Sequence, residues 1–283
     1  MRRINKPIIK AKNVFLDCID NMRDTALKNT LTSSVNVIED AETEFESKKN
    51  TNTLHTISKN KSITGVNSDV LKKVYENRMV NQENKGRKHY DVIRLSAPNG
   101  KCPLCSQRTV STLDHYLPKA FYPLLSVTPI NLIPSCSDCN KGKLGDSPTK
   151  SKEETLHPYY DDVESFSWLK MQLITVNPLV VKFYVSCPQE IETLLQQRIQ
   201  YHFEKFKLNE LFVPHAIVEF VCRKKQFENL YQNGGTTALT DFLEESYESI
   251  ISSYYKNSWQ TAFYEGLLNN EEFCNGGFID EKA

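Results

Sequence analysis

Apolar residues change their rhythm twice along this chain. Val14, Phe15, Cys18, Ile19 and Met22 recur at helical spacing, and Val70, Leu71, Val74, Tyr75 and Met79 repeat it further on. Between them, Lys48 to Ser62 is rich in Asn, Ser, Thr and Lys and reads as a loop or mobile linker. The second stripe predicts a helix starting at Asn67-Ser68-Asp69, with Ser68 or Asp69 as cap. From Thr109 to Tyr116 the pattern switches to the alternation of a short hairpin strand. A loop with Pro118, Pro123 and Pro129 then leads to the run Asn131-Leu132-Ile133-Pro134-Ser135. Ser135 to Leu144 can open a helix, ended by Gly145. Past Thr155, Trp168 to Thr175 and Val180 to Ser186 have strand content on either side of Asn177-Pro178. Gln189 to Phe206, Asn209 to Tyr231 and Ala238 to Leu268 carry long helical periods.

The expected class is therefore α+β, a strand, strand, helix unit embedded in a largely α-helical chain. Three regions are expected: 1–66, helical or mobile; 67–152, a domain with its supporting helix; and 153–283, an α-rich scaffold or partner-binding region. No internal repeat or low-complexity tract interrupts them. No run approaches the eighteen or so apolar residues of a membrane span, and Met1-Arg2-Arg3-Ile4-Asn5-Lys6 leads into no apolar signal region. A cytoplasmic protein without a membrane partner is expected.

Charge sharpens the picture more than composition does. The net charge is zero, yet residues 84 to 152 hold 11 Lys+Arg against 4 Asp+Glu, while residues 153 to 283 hold 10 against 20. A polyanion is thus expected to land on the central segment, and the acidic helices after it are poor ground for nucleic acid.

The central segment also holds the chain's distinctive chemistry. Cys102-Pro-Leu-Cys105 and Cys136-Ser-Asp-Cys139, thirty residues apart, have the spacing of two knuckles that close a tetrahedral Zn²⁺ site. Cys18, Cys187, Cys222 and Cys274 have no pairing rhythm and are expected to be free thiols. Zinc alone does not imply an enzyme, so function has to come from the residues between and beside the knuckles. His115 has the neutral imidazole expected of a general base near pH 7. Asp114 offers an anionic oxygen and Asn140 a neutral one to a hard divalent cation, Mg²⁺ or Mn²⁺. Lys119, Lys141 and Lys143 flank these groups as candidate phosphate contacts. His157 is either a further metal ligand or a packing residue. Asp138 is expected as a helix-start acid rather than a ligand.

The motifs C-P-L-C, L-D-H-Y-L-P-K, N-L-I-P-S-C and S-D-C-N-K-G-K, spread over roughly residues 99 to 147, resemble the HNH, or ββα-metal, endonucleases. The resemblance implies that His115 is the general base, that Asp114 is a metal ligand and that Asn131 helps orient the histidine. It also implies hydrolysis leaving 5′ phosphate and 3′ hydroxyl ends. Asn140 stands where many members have His, and RNA-guided CRISPR nucleases carry Asn there in a similar context. Extended forms of these motifs occur in bacterial nucleases that accompany ATPases in anti-phage defence cassettes. The resemblance therefore implies a DNA-cleaving effector, RNA being a possible substrate too, with an ATPase or other defence subunit as partner. The competing expectation is a zinc-stabilised nucleic-acid- or protein-binding module whose nuclease site is vestigial.

Overall fold

A computed structural model describes residues 1–143 and 145–280. The chain divides into two compact units, Met1–Asp162 and Val163–Ala283. Each is helix-rich with one small antiparallel sheet.

Unit 1 begins with α1 (Ala11–Ile19), α2 (Thr25–Ser33) and α3 (Val35–Asn50). The apolar stripe of α1, with Ile38 of α3, enters the same core as Leu71, Met79, Ile93, Leu113 and Leu132. Residues 1–66 are therefore not a region apart, because their apolar faces are completed only by groups that follow them. Asp24 caps α2 by accepting a hydrogen bond from the Leu27 amide at 3.0 Å.

Of the two forms expected for the polar stretch after Lys48, a loop or a mobile linker, it takes the loop, and it is held in place. Lys49, in the last turn of α3, lies in the interior, bonded to Asp161 at 3.2 Å and to Asn52 at 2.9 Å. A short turn at Leu54–Thr56 buries Leu54, and the His55 amide donates to the buried Glu154 carboxylate at 3.3 Å. Its polar side chains find polar partners about a hundred residues away, which local composition cannot reveal.

The helix expected after residue 67 is α4 (Ser68–Val74), capped by Asn67, whose side chain accepts from the Asp69 amide at 2.8 Å. Asn67 takes the cap instead of Ser68 or Asp69 because it still has the extended φ/ψ that a cap needs. Next the helix widens into one π turn, Tyr75–Met79, a feature that often accompanies function. α5 (Arg87–Leu95) packs along the hairpin formed by β1 (Thr112–His115) and β2 (Leu132–Ser135). Their antiparallel register sets Asp114 opposite Ile133 and His115 opposite Leu132. α6 (Ser137–Lys143) follows β2 directly, and Leu144 lies outside the described residues.

Unit 2 opens with a hairpin of β3 (Leu169–Thr175) and β4 (Val180–Val185). α7 (Thr193–Lys205), α8 (Leu208–Ser253), α9 (Trp259–Leu268) and α10 (Glu271–Cys274) complete it. The two expected helices after residue 209 are joined into α8, with a break only at Gly235, whose φ of 65° suits glycine. The expected period to Leu268 is divided instead at Ser258, which caps α9 by accepting from the Thr261 amide at 3.0 Å. α9 packs on both α8 and β3, and Phe220, Phe227, Phe273 and Phe278 form the aromatic heart of this unit.

Candidate functional site

The two knuckles fold as tight sulfur-bearing turns. Lys101 pairs with Thr109 across the first, the Cys102 amide donates to Arg108 O, and Ser106 takes a left-handed φ of 59° to close it. The Arg108 amide then points at Cys105 Sγ at 3.5 Å, and in the second knuckle the Cys139 amide points at Cys136 Sγ at 3.4 Å. The four buried sulfurs lie within 4.8 Å of one another. Sulfurs bound to one zinc at about 2.3 Å stand roughly 3.8 Å apart, so a small contraction closes the tetrahedron. Hydrogen bonding with Cys102 drives Cys105 and Cys136 towards thiolate, while Cys102, chiefly through Cys105, and Cys139, chiefly through Cys102, are pushed up. Four buried sulfurs this close together can hold a structural zinc ion. Arg108 pairs with Asp138 at 2.8 Å and ties the knuckles at the surface, so Asp138 is an ion-pair partner in this arrangement.

Asp114 and His115 end β1, and strand alternation sends their side chains to opposite faces. His115 is partly exposed, and its Nε2 lies 2.8 Å from Ser126 O. A carbonyl can only accept, so Nε2 carries the proton and Nδ1 the lone pair. Nδ1 meets no hydrogen-bond donor among the described residues. The Tyr75 ring from the π turn packs edge-on against the imidazole, with centroids 4.4 Å apart. Burial pushes the His115 pKa down to about 3, so the ring is neutral at physiological pH.

Asn131 is fully buried and works one step away from the imidazole. Its Oδ1 accepts from the Leu117 amide at 2.7 Å, and its Nδ2 donates to Leu117 O at 3.0 Å and Leu125 O at 3.1 Å. It thus clasps the loop between Leu117, two residues after His115, and Leu125, immediately before Ser126. The loop's proline turns are themselves buried, and one amide closes the loop from inside.

Asp114 is buried and faces Lys143 of α6. The Lys143 ammonium donates to Asp114 Oδ2 at 2.9 Å, to His115 O at 2.8 Å and to Tyr116 O at 2.5 Å. Burial raises the Asp114 pKa, and Lys143 offsets only part of that rise. Lys143 therefore neutralises Asp114 where a phosphate contact was expected. Asn140 lies on the same helix one turn earlier, partly exposed, and its side-chain amide has no partner among the described residues. Lys119 pairs with Glu76 at 2.5 Å, whereas Lys141 is exposed and unpaired among the described residues.

His157 takes the packing role. It is fully buried and stacks on Tyr116 with centroids 4.4 Å apart. Nε2 donates to Ile130 O at 3.1 Å and Nδ1 accepts from the Tyr159 amide at 3.3 Å. Both ring nitrogens are engaged by backbone, which leaves no lone pair for a metal. Ser126 and Tyr75, which set the tautomer and the enclosure of His115, carry no sequence signal beyond their apolar or turn surroundings.

Comparison with known proteins places the chain more firmly than its site. No family model matches it, and no solved structure does. Septu protein PtuB of Bacillus thuringiensis is 37% identical over 81 residues, which cover 27% of this chain and 31% of that protein. Protein ea31 of Escherichia phage lambda is 30% identical over 219 residues, covering 73% of this chain and 74% of that protein. Similarity spread over nearly three quarters of both sequences requires a shared fold beyond the cysteine knuckles, and the chain belongs to the family of phage lambda protein ea31.

Proposed function

We propose that unit 1 is a metal-dependent endonuclease of the HNH type that hydrolyses phosphodiester bonds, with DNA as substrate. The carrying observation is the fixed tautomer of His115. Ser126 O holds the Nε2 proton, which leaves Nδ1 as a base at the end of β1. There it would take the proton of the attacking water, and Asn131 and Tyr75 would keep the ring from turning away. Asp114 Oδ1 and the Asn140 amide oxygen accept no hydrogen bond from the described residues. These are hard oxygen donors of the kind that Mg²⁺ or Mn²⁺ takes. When bound, such a cation would neutralise charge on the scissile phosphate and on the departing oxygen. Lys141, exposed beside this face, would meet a neighbouring phosphate. The similarity to Septu protein PtuB supports a part in anti-phage defence, in which an ATPase or another subunit would gate cleavage.

Incubation of supercoiled plasmid with the full chain and Mg²⁺ or Mn²⁺ tests the proposal. Wild type should nick or linearise it, and His115→Ala should lower the rate by about 10²- to 10⁴-fold with zinc retained. Equal cutting by the variant would remove His115 from the mechanism. One observation favours the second reading, a zinc-stabilised binding module with a vestigial site, because Asp114 already has Lys143 as counter-ion. Nucleic-acid binding without cleavage under every metal and partner would establish that reading.

A further inference from the structure

A cavity of about 570 Å³ opens on the outer face of α4 and its π turn, away from the groups assigned to hydrolysis. Three cations, Arg23, Lys73 and Arg78, line it against a single carboxylate, Glu83. Arg23 and Lys73 make no hydrogen bond or ion pair with any described residue. Arg78 is held in place, since its Nη1 donates to Asn21 Oδ1 at 3.0 Å, Asn21 Nδ2 donates to Asn84 Oδ1 at 2.9 Å, and Asn84 Nδ2 donates to Asn77 O at 3.0 Å. The π turn permits this chain of amides. It bonds the Val80 amide back to Tyr75 O, five residues away, and the helix ends there, so the Asn77 carbonyl is left for a side chain. Leu27, Val70 and Val74 supply an apolar wall, while Asn77 and Asn81 supply amides at the rim.

From this arrangement we propose that the cavity is a binding site for a nucleoside monophosphate. Its volume lies within the roughly 300 to 1,000 Å³ of small-molecule sites. Two guanidinium groups and an ammonium suit a phosphate dianion, and a fixed guanidinium has less ordering entropy to lose on binding. An apolar wall next to side-chain amides suits the face and edge of a base. A nucleic-acid strand fits less well, because Tyr75, which touches His115, lies on another face of the helix from Lys73 and Asn77. Occupancy would grip Asn77 and Arg78, both in the turn that carries Tyr75. If His115 is the base proposed above, the ligand would control the ring packed against it, a consequence that rests on that proposal whereas binding itself does not.

Calorimetric titration of the full chain with AMP, GMP, CMP and UMP, and separately with adenosine, inorganic phosphate and a single-stranded oligonucleotide, tests the site without any cleavage assay. At least one monophosphate should bind, at least tenfold more tightly than inorganic phosphate, with no binding of adenosine. R23M/K73M should weaken it by tenfold or more with an unchanged melting temperature, because both side chains are exposed and neither makes a hydrogen bond or ion pair with a described residue. Asn77→Asp, which adds a carboxylate at the rim, should weaken it too. Histidine ring NMR should show the His115 signals move on saturation. Absence of binding, phosphate binding as tight as nucleotide, or displacement of nucleotide by the oligonucleotide at lower concentration would each overturn the proposal. Binding with unmoved His115 signals would overturn the coupling.

Discussion

Lys143→Met is the most informative single substitution in unit 1. The Lys143 and Asp114 side chains are 7% and 6% exposed, so solvent screening gives little relief. Methionine has nearly the length of lysine, so the change removes charge and donors with little change in volume. Asp114 Oδ2 then loses its donor at 2.9 Å, and the carbonyls of His115 and Tyr116 lose theirs. Breaking one side of a buried ion pair costs about 3 to 5 kcal/mol, chiefly because the remaining charge is stranded. Both tryptophans, Trp168 and Trp259, belong to unit 2, so their fluorescence is a poor reporter of this change. Hydrogen exchange by mass spectrometry on peptides covering β1 and β2 reads unit 1 directly. Protection there should fall by roughly two to nearly four powers of ten, at about 1.4 kcal/mol per tenfold.

The deficit should also depend on pH in a defined direction. Burial already raises the Asp114 pKa, and removing Lys143 raises it further. A carboxyl whose folded pKa lies above its unfolded one penalises folding above the folded value and ceases to do so below the unfolded value. Acidification should therefore narrow the gap between variant and wild type as Asp114 takes up a proton. Asp114→Asn combined with Lys143→Met should recover at least about 2 kcal/mol, since no buried charge is left unpaired. A loss below about 1 kcal/mol in Lys143→Met, or a double variant as unstable as the sum of the singles, would refute the argument.

Elemental analysis of purified protein should find one zinc per chain, and Cys105→Ser should lower its retention and the melting temperature together; a metal-free wild type of undiminished stability would refute the sulfur-site assignment. Asp17 offers a second pH test. Burial raises its pKa, but Lys88 at 2.9 Å and His89 at 2.6 Å outweigh that and hold it below the usual carboxylate range. Its contribution should be present above the unfolded value near 3.9 and be lost as pH falls through the folded one. With the side chain 31% exposed the effect should be about 1 kcal/mol or less, and Asp17→Asn should remove that part of the acid sensitivity measured by urea unfolding.

Local pattern determined much of this protein. Period-two alternation before Tyr116, proline-punctuated loops and the position of Ser137 specify a hairpin followed by a helix, because those signals act over a few residues. The cysteine spacing determined a sulfur site for a similar reason, each knuckle being a local turn. What the tertiary structure decided are the pairings across sequence distance. Helices α2 and α3 are polar enough to hide their periodicity, and they exist because their apolar sides complete a core that includes Leu113 and Leu132. Lys49 finds Asp161, and Lys143 finds Asp114, only once the chain has folded, since a buried charge selects its partner by desolvation and not by spacing. The same applies around His115. Its position at a strand end is written in the chain, but its tautomer comes from Ser126, its enclosure from Tyr75 and its supporting loop from Asn131, and these are brought to one place by packing alone.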